Sequence, residues 1–128
     1  MTKTYNPDTV APPLSNYVHA VEVPGNARWL YVSGQLGITR DGSVPENFAG
    51  QAEQAFRNII AILEEAGMSV TDIVRVNTYL TDTADIGDYR GIRDRMLDNH
   101  ATASTMLVIS VLAAPQYKIE IEVVAAKA

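Results

Sequence analysis

The closing segment reads KIEIEVV, and successive side chains of an extended chain point to opposite faces. Glu120 and Glu122 therefore share one face, while Ile119, Ile121 and Val123 share the other. Two carboxylates so placed can solvate an exposed or edge face, the ordinary fate of glutamate on a strand. Alternatively, one of them can sit in a crevice between subunits, where desolvation lifts its pKa toward the range of a general base that activates water. A second group is YVSGQLG, which places Ser33, Gly34 and Gln35 at a strand end, with Gly34 open to close approach by a ligand. A third is LSNYVHA, in which Tyr17 and His19 are two apart and share a face. A plain strand terminus, and a half-buried tyrosine beside a surface histidine, explain these two groups equally well.

Other chemistries lack their residues. His19 and His100 are the only histidines, neither stands in a ligand-spaced motif, and there is no cysteine, so neither a metal site nor a thiolate nucleophile is expected. Ser33, His19 and an aspartate could meet in space, but the GxSxG nucleophile elbow is missing. No phosphate-cradling glycine pattern is present, so no cofactor is expected. A net charge of −5 repels phosphate backbones, and the arginines near position 93 are interleaved with Asp88, Asp94 and Asp98, which argues against nucleic acid as a partner. The opening MTKTYNPDTV has no apolar core, and no later run approaches the roughly 18 apolar residues of a membrane helix. A soluble cytoplasmic protein, unattached to membranes, is the expectation.

With 128 residues and 47% hydrophobic content, the chain fits one domain over residues 1–128 with its own core. Tyr17 to Val23 and Trp29 to Gln35, short and joined through ProGlyAsn, predict a hairpin. From Phe48 to Ala66 the apolar residues recur at helical spacing, with Asn47 placed to cap the start and Gly67 to follow the end. Ile73 to Leu80 alternates as a strand, with Arg75, Asn77 and Tyr79 on its wetter face. A second helix carries Ile86, Tyr89, Ile92, Met96 and Leu97, capped by Thr83 or Asp85. Thr105 to Leu112 and Tyr117 to Ala125 predict two closing strands.

The order ββ, α, β, α, ββ predicts an α+β fold, a single mixed sheet with both helices packed on one face. Met106 to Leu112 is apolar at nearly every position, so both faces of that strand call for burial and two helices cover only one. A further copy of the chain is the economical cover, in a number that the pattern leaves open.

Taken together, AxxxxxYxxA at Ala11 to Ala20, VSGQ at Val32 to Gln35, EEAGM before TDIVRVNTYL, and the closing IEIEVVA resemble the Rid/YjgF family, in order and spacing across nearly the whole chain. The resemblance implies the chorismate-mutase-like YjgF fold assembled as a homotrimer, with a small-molecule cleft between each pair of neighbouring subunits. RidA-like members hydrolyse reactive enamines and imines such as 2-aminoacrylate to a 2-keto acid and ammonia without a cofactor, which detoxifies the metabolite. By the same resemblance, Glu120 positions and deprotonates the attacking water, and Tyr17, Ser33 and Gly34 line the cleft.

One landmark departs from the family pattern. Where deaminase members carry a PARS-type motif whose arginine grips the substrate carboxylate, this chain reads TASTM, and Ser104 or Thr105 takes the arginine's place. A neutral hydroxyl cannot reproduce that bidentate grip. Arg90 stands where the family often has asparagine and could supply the charge, or could pair with Asp94 one turn on. The expected function is thus hydrolytic deamination of an imine or enamine whose carboxylate is absent or differently held. The alternatives are a non-catalytic metabolite-binding trimer and the translation-inhibiting ribonuclease described for some members.

Overall fold

A computed structural model describes residues 2–128. Helix α1 (Phe48–Glu65) begins as its sequence predicts, for the Asn47 side chain accepts the Gly50 amide at 2.7 Å. Gly67 follows its end at φ +73, a conformation that costs glycine little. The helix buries Ala52, Ala55, Phe56, Ile59 and Leu63 on one stripe.

That stripe packs against a four-stranded sheet of β3 (Arg28–Leu36), β6 (Ile119–Lys127), β4 (Ile73–Leu80) and β5 (Ala103–Val108), in that spatial order. β4 and β5 run parallel, and β6 is antiparallel to both of its neighbours, so the sheet is mixed. Helix α2 (Ile86–Met96) connects β4 to β5 and packs beside α1, where Tyr89 stacks on Phe56 at 6.2 Å. Val74, Val76, Thr78 and Leu80 of β4 and Ile119, Ile121, Val123 and Ala125 of β6 are buried. Arg75, Asn77 and Tyr79 look the other way, as the alternation predicts.

Three local expectations are corrected. The hairpin does not form: β2 (Ala20–Glu22) pairs with β1 (Lys3–Tyr5) in a separate two-stranded sheet, and Tyr17 and His19 lie in the loop before β2. β3 instead takes β6, whose buried alternate residues gain far more from pairing beside the core than the exposed Ala20 and Glu22 would. Pro24, lacking an amide hydrogen, stands where the hairpin ladder would close. Neither Thr83 nor Asp85 caps α2 with its side chain; they form a 3-10 turn whose start is held by Asp82, which accepts the Ala84 amide at 2.9 Å. The strand expected over Thr105 to Leu112 is β5, Ala103–Val108, which ends four residues earlier; β6 inserts between β3 and β4 and leaves β5 at the edge.

The face away from the helices stays open. Tyr31 is 76% exposed, Leu107 50% and Trp29 49%.

Candidate functional site

Strand register arranges the open face in rows. Thr105 of β5 is level with Asn77 of β4, which is level with Glu122 of β6. One row on stand Leu107, Tyr79 and Glu120; one row back stand Ala103, Arg75 and Val124. Beside them β3 carries Tyr31 and Ser33, and a shallow groove of about 280 Å³ runs between Tyr31, Ser33, Asn77, Glu122 and Val124.

The two glutamates differ in what holds them. Glu122 accepts the Tyr79 hydroxyl at 2.9 Å and an Asn77 amide hydrogen at 3.2 Å. Its carboxylate raises the Tyr79 pKa above the ordinary 10.0, because ionisation would break that bond and set two anions side by side; partial burial and the charge of Glu120 push the same way, and Arg75 opposes them. Glu120 makes no side-chain hydrogen bond among the described residues. Its oxygens are therefore open to water.

Gly34 explains where Glu120 lies. Between Val32 and Gln35 the register of β3 slips by one residue against β6, a bulge. A Cβ on Gly34 would fall 2.0 Å from Glu120 Oε2, so the carboxylate rests over the glycine backbone. The close approach that this glycine allows is first of all to a side chain of its own protein. Gly37 does similar service at the strand exit, where a Cβ would meet the Gln51 carbonyl oxygen at 2.4 Å.

Thr105 shares the open face with Glu120, whereas Ser104 is level with buried Val76 and points to the helix side. Thr105 Oγ1 accepts a hydrogen bond from Arg75 Nη2 at 2.8 Å. Ser104 joins Tyr17, Arg90, Arg93, Leu14 and Met106 around a second concavity of about 160 Å³, beside α2. There the Tyr17 hydroxyl accepts the Leu14 amide at 3.3 Å, and its ring meets His19 edge-on at 5.9 Å. Arg90 does not pair with Asp94, which is held by Arg93 at 3.0 Å and by Asn16 at 3.3 Å. Its guanidinium is exposed at the rim.

One chain thus brings Ser33 and Gly34 to Glu120, with Thr105 on the same face two strands away, and separately brings together Tyr17, Arg90 and Ser104 on the opposite side of the sheet. His19 and Ser33 do not meet, for the imidazole donates to the Ala11 carbonyl at 2.7 Å in the N-terminal loop. Arg75, Asn77 and Tyr79 were visible in the sequence only as a wet strand face. Their alternation says nothing of which strand lies alongside, and it is the register that puts them next to Thr105, Glu122 and Glu120.

Among the described residues no helix is long and apolar enough to cross a membrane. A RutC family protein of Aquifex aeolicus is 36% identical over 117 residues, covering 90% of this chain and 91% of the relative. The 2-iminobutanoate/2-iminopropanoate deaminase of Escherichia coli strain K12 is 32% identical over 130 residues, covering 99% of each chain. Among solved structures, YyfB of Yersinia pestis, a Rid family protein of unknown function, superposes with a TM-score of 0.89 at 26% identity over 98% of both chains. Residues 8–127 match the family described as Endoribonuclease L-PSP, and the chain accordingly belongs to that family, the Rid/YjgF family.

Proposed function

We propose that this protein hydrolyses reactive imine or enamine metabolites, releasing ammonia, with Glu120 as the general base. One observation carries the reading: the Glu120 carboxylate lies over Gly34 with its oxygens unengaged, in a chain whose E. coli relative is named a 2-imino acid deaminase. The chemistry asks little more of the protein. An imine carbon is already electrophilic, so a held water and a shielded pocket suffice. Glu120 takes a proton as the water oxygen bonds to the imine carbon and passes it to the nitrogen, giving a carbinolamine; the remaining hydroxyl proton is then transferred to the nitrogen as the carbonyl forms and ammonia leaves. An enamine enters the same route once protonated at carbon.

The cleft in this proposal is shared. The face of one protomer carrying Ser33, Gly34, Glu120 and Thr105 meets the Tyr17, Arg90 and Ser104 side of a neighbour in a homotrimer. The separation of the two groups within one chain supports this, as do the exposed Tyr31 and Leu107 around the first of them. Ribonuclease chemistry has less behind it. Both histidines are tied to backbone carbonyls, His19 to Ala11 at 2.7 Å and His100 to Ile73 at 2.9 Å, and do not form an acid and base pair.

The test is ammonia release from freshly generated 2-iminopropanoate. The protein is expected to exceed the spontaneous rate and Glu120→Ala to fall to it. Equal rates with and without the protein would overturn the reading for 2-imino acids.

A further inference from the structure

We infer that Arg75 is the anion-binding residue of the open face, gripping the carboxylate of a small 2-oxo or 2-imino acid whose other end lies toward Glu120. The inference rests on the functional reading of that face and names the substrate class it takes. Four observations lead to it.

First, Arg75 is the one cationic side chain that the paired strand residues turn to this face; Arg28 and Lys127, paired at the far end of the sheet, alternate to the other side. Secondly, its charge is uncommitted. The described ion pairs are Arg57 with Glu53, Arg93 with Asp94 and Arg95 with Glu53, and among the described residues no carboxylate lies within 4.0 Å of the Arg75 guanidinium. Its one side-chain bond is to the neutral Thr105 hydroxyl, which leaves most of the guanidinium's five donors free.

Thirdly, that bond aims it. Arg75 stands level with Val124, two rows from Glu120, a distance of roughly 13 Å along the strands at about 3.3 Å per residue. Thr105 stands one row nearer, level with Asn77. By reaching for Thr105 the guanidinium leans one row toward Glu120 along the strands; Thr105 stands on β5, across β4 from β6, so two strand spacings, roughly 10 Å, remain for the bound acid and the water it meets to span. Fourthly, Asn77 Oδ1, in the row between Arg75 and Glu120, is buried and lacks a hydrogen-bond partner. An unpaired buried acceptor suits the N–H of an imine, or a water, held between the two charges.

Arg90 offers no equivalent within one chain, because it lies beside α2 with Tyr17 and Ser104. Thr105 is then a positioning residue. It cannot bind a carboxylate as an arginine does, but it holds one that can.

The experiment is an NMR titration of the protein with pyruvate and with its uncharged analogue pyruvamide. Wild type is expected to bind pyruvate at least tenfold more tightly, Arg75→Met to lose that preference while binding pyruvamide unchanged, and Arg75→Lys to recover part of it. Thr105→Val, which keeps the charge but frees the side chain, is expected to weaken pyruvate binding several-fold. Arg75 is exposed, so unchanged thermal midpoints are expected and will separate binding from folding. Equal affinity for pyruvate in wild type and Arg75→Met, absence of a preference in wild type, or loss of that preference in Arg90→Ala instead would overturn the inference. Assay with 2-iminopropanoate separates the two claims. Arg75-dependent pyruvate binding without ammonia release would sink the deaminase reading and leave the clamp standing. Ammonia release equal in wild type and Arg75→Met would do the reverse.

Discussion

Glu120 and Glu122 are two residues apart on one strand face, yet their surroundings hold them differently. Glu122 is engaged by Tyr79 and Asn77, whereas Glu120 rests over Gly34 with its oxygens open. Gly34→Ala tests the arrangement. The new methyl meets the far end of a flexible side chain, so stability is expected to fall by about 1 kcal/mol or less. The displaced carboxylate is expected to cost about tenfold or more in kcat, since small misplacements of a catalytic group are expensive. Circular dichroism melting beside ammonia release measures both. The Tyr79 phenol gives a pH signature. Its folded pKa lies above the ordinary 10.0 through the Glu122 carboxylate, so its contribution to stability is complete below about pH 10 and is lost as pH rises through the folded value. In Glu122→Gln the pKa is expected to move down toward 10, read as the ultraviolet phenolate difference between each protein and its Tyr79→Phe counterpart.

The strand carrying Glu120 is held in place by a residue of α1. Gln51, 1% exposed, donates to the Pro45 carbonyl at 2.9 Å and the Gln116 carbonyl at 3.0 Å, and accepts the Lys118 amide at 2.8 Å. It thus ties the helix start to the loop entering β6, two residues before Glu120. Gln51→Leu keeps the volume but leaves three backbone groups unpaired, and is expected to cost about 2 to 4 kcal/mol in urea denaturation. A loss within about 0.5 kcal/mol, the scale of an ordinary surface change, would mean that the three bonds are replaced by water. Nothing in the periodicity of α1 flags this role, because a lone glutamine on an apolar stripe reads as a boundary residue.

Both helices are spent on one side of the sheet, and the other side leaves Tyr31, Trp29 and Leu107 exposed over about half or more of their surface. At the edge, exposed Leu107 and Val108 of β5, with Val111 just after it, form an apolar patch that calls for a partner, and the proposed trimer supplies one. Sedimentation equilibrium is expected to give a species of three times the 13.9 kDa chain mass. Leu107→Asp, which puts a charge into the patch at the edge strand, is expected to shift it toward the monomer and to abolish activity with the cleft. A fully active monomer would remove the basis for a shared site.

Much of this protein is legible in its amino acids. The helix with its Asn47 cap and Gly67 terminus, the alternating β4 and the acidic face of β6 follow from local periodicity and capping, which depend only on near neighbours in the chain. The apolar run around Leu107 even implies a further copy. Pairing is another matter. That β3 takes β6 rather than β2, and that β5 becomes an edge, depends on which long-range contacts bury the most surface. Whether Thr105 or Ser104 shares a face with Glu120, and whether Arg75 lies on that face too, turns on register, where a shift of one residue reverses every side chain. The two carboxylates are written in the alternation of the strand, while the cation that shares their face is chosen by the pairing of the sheet.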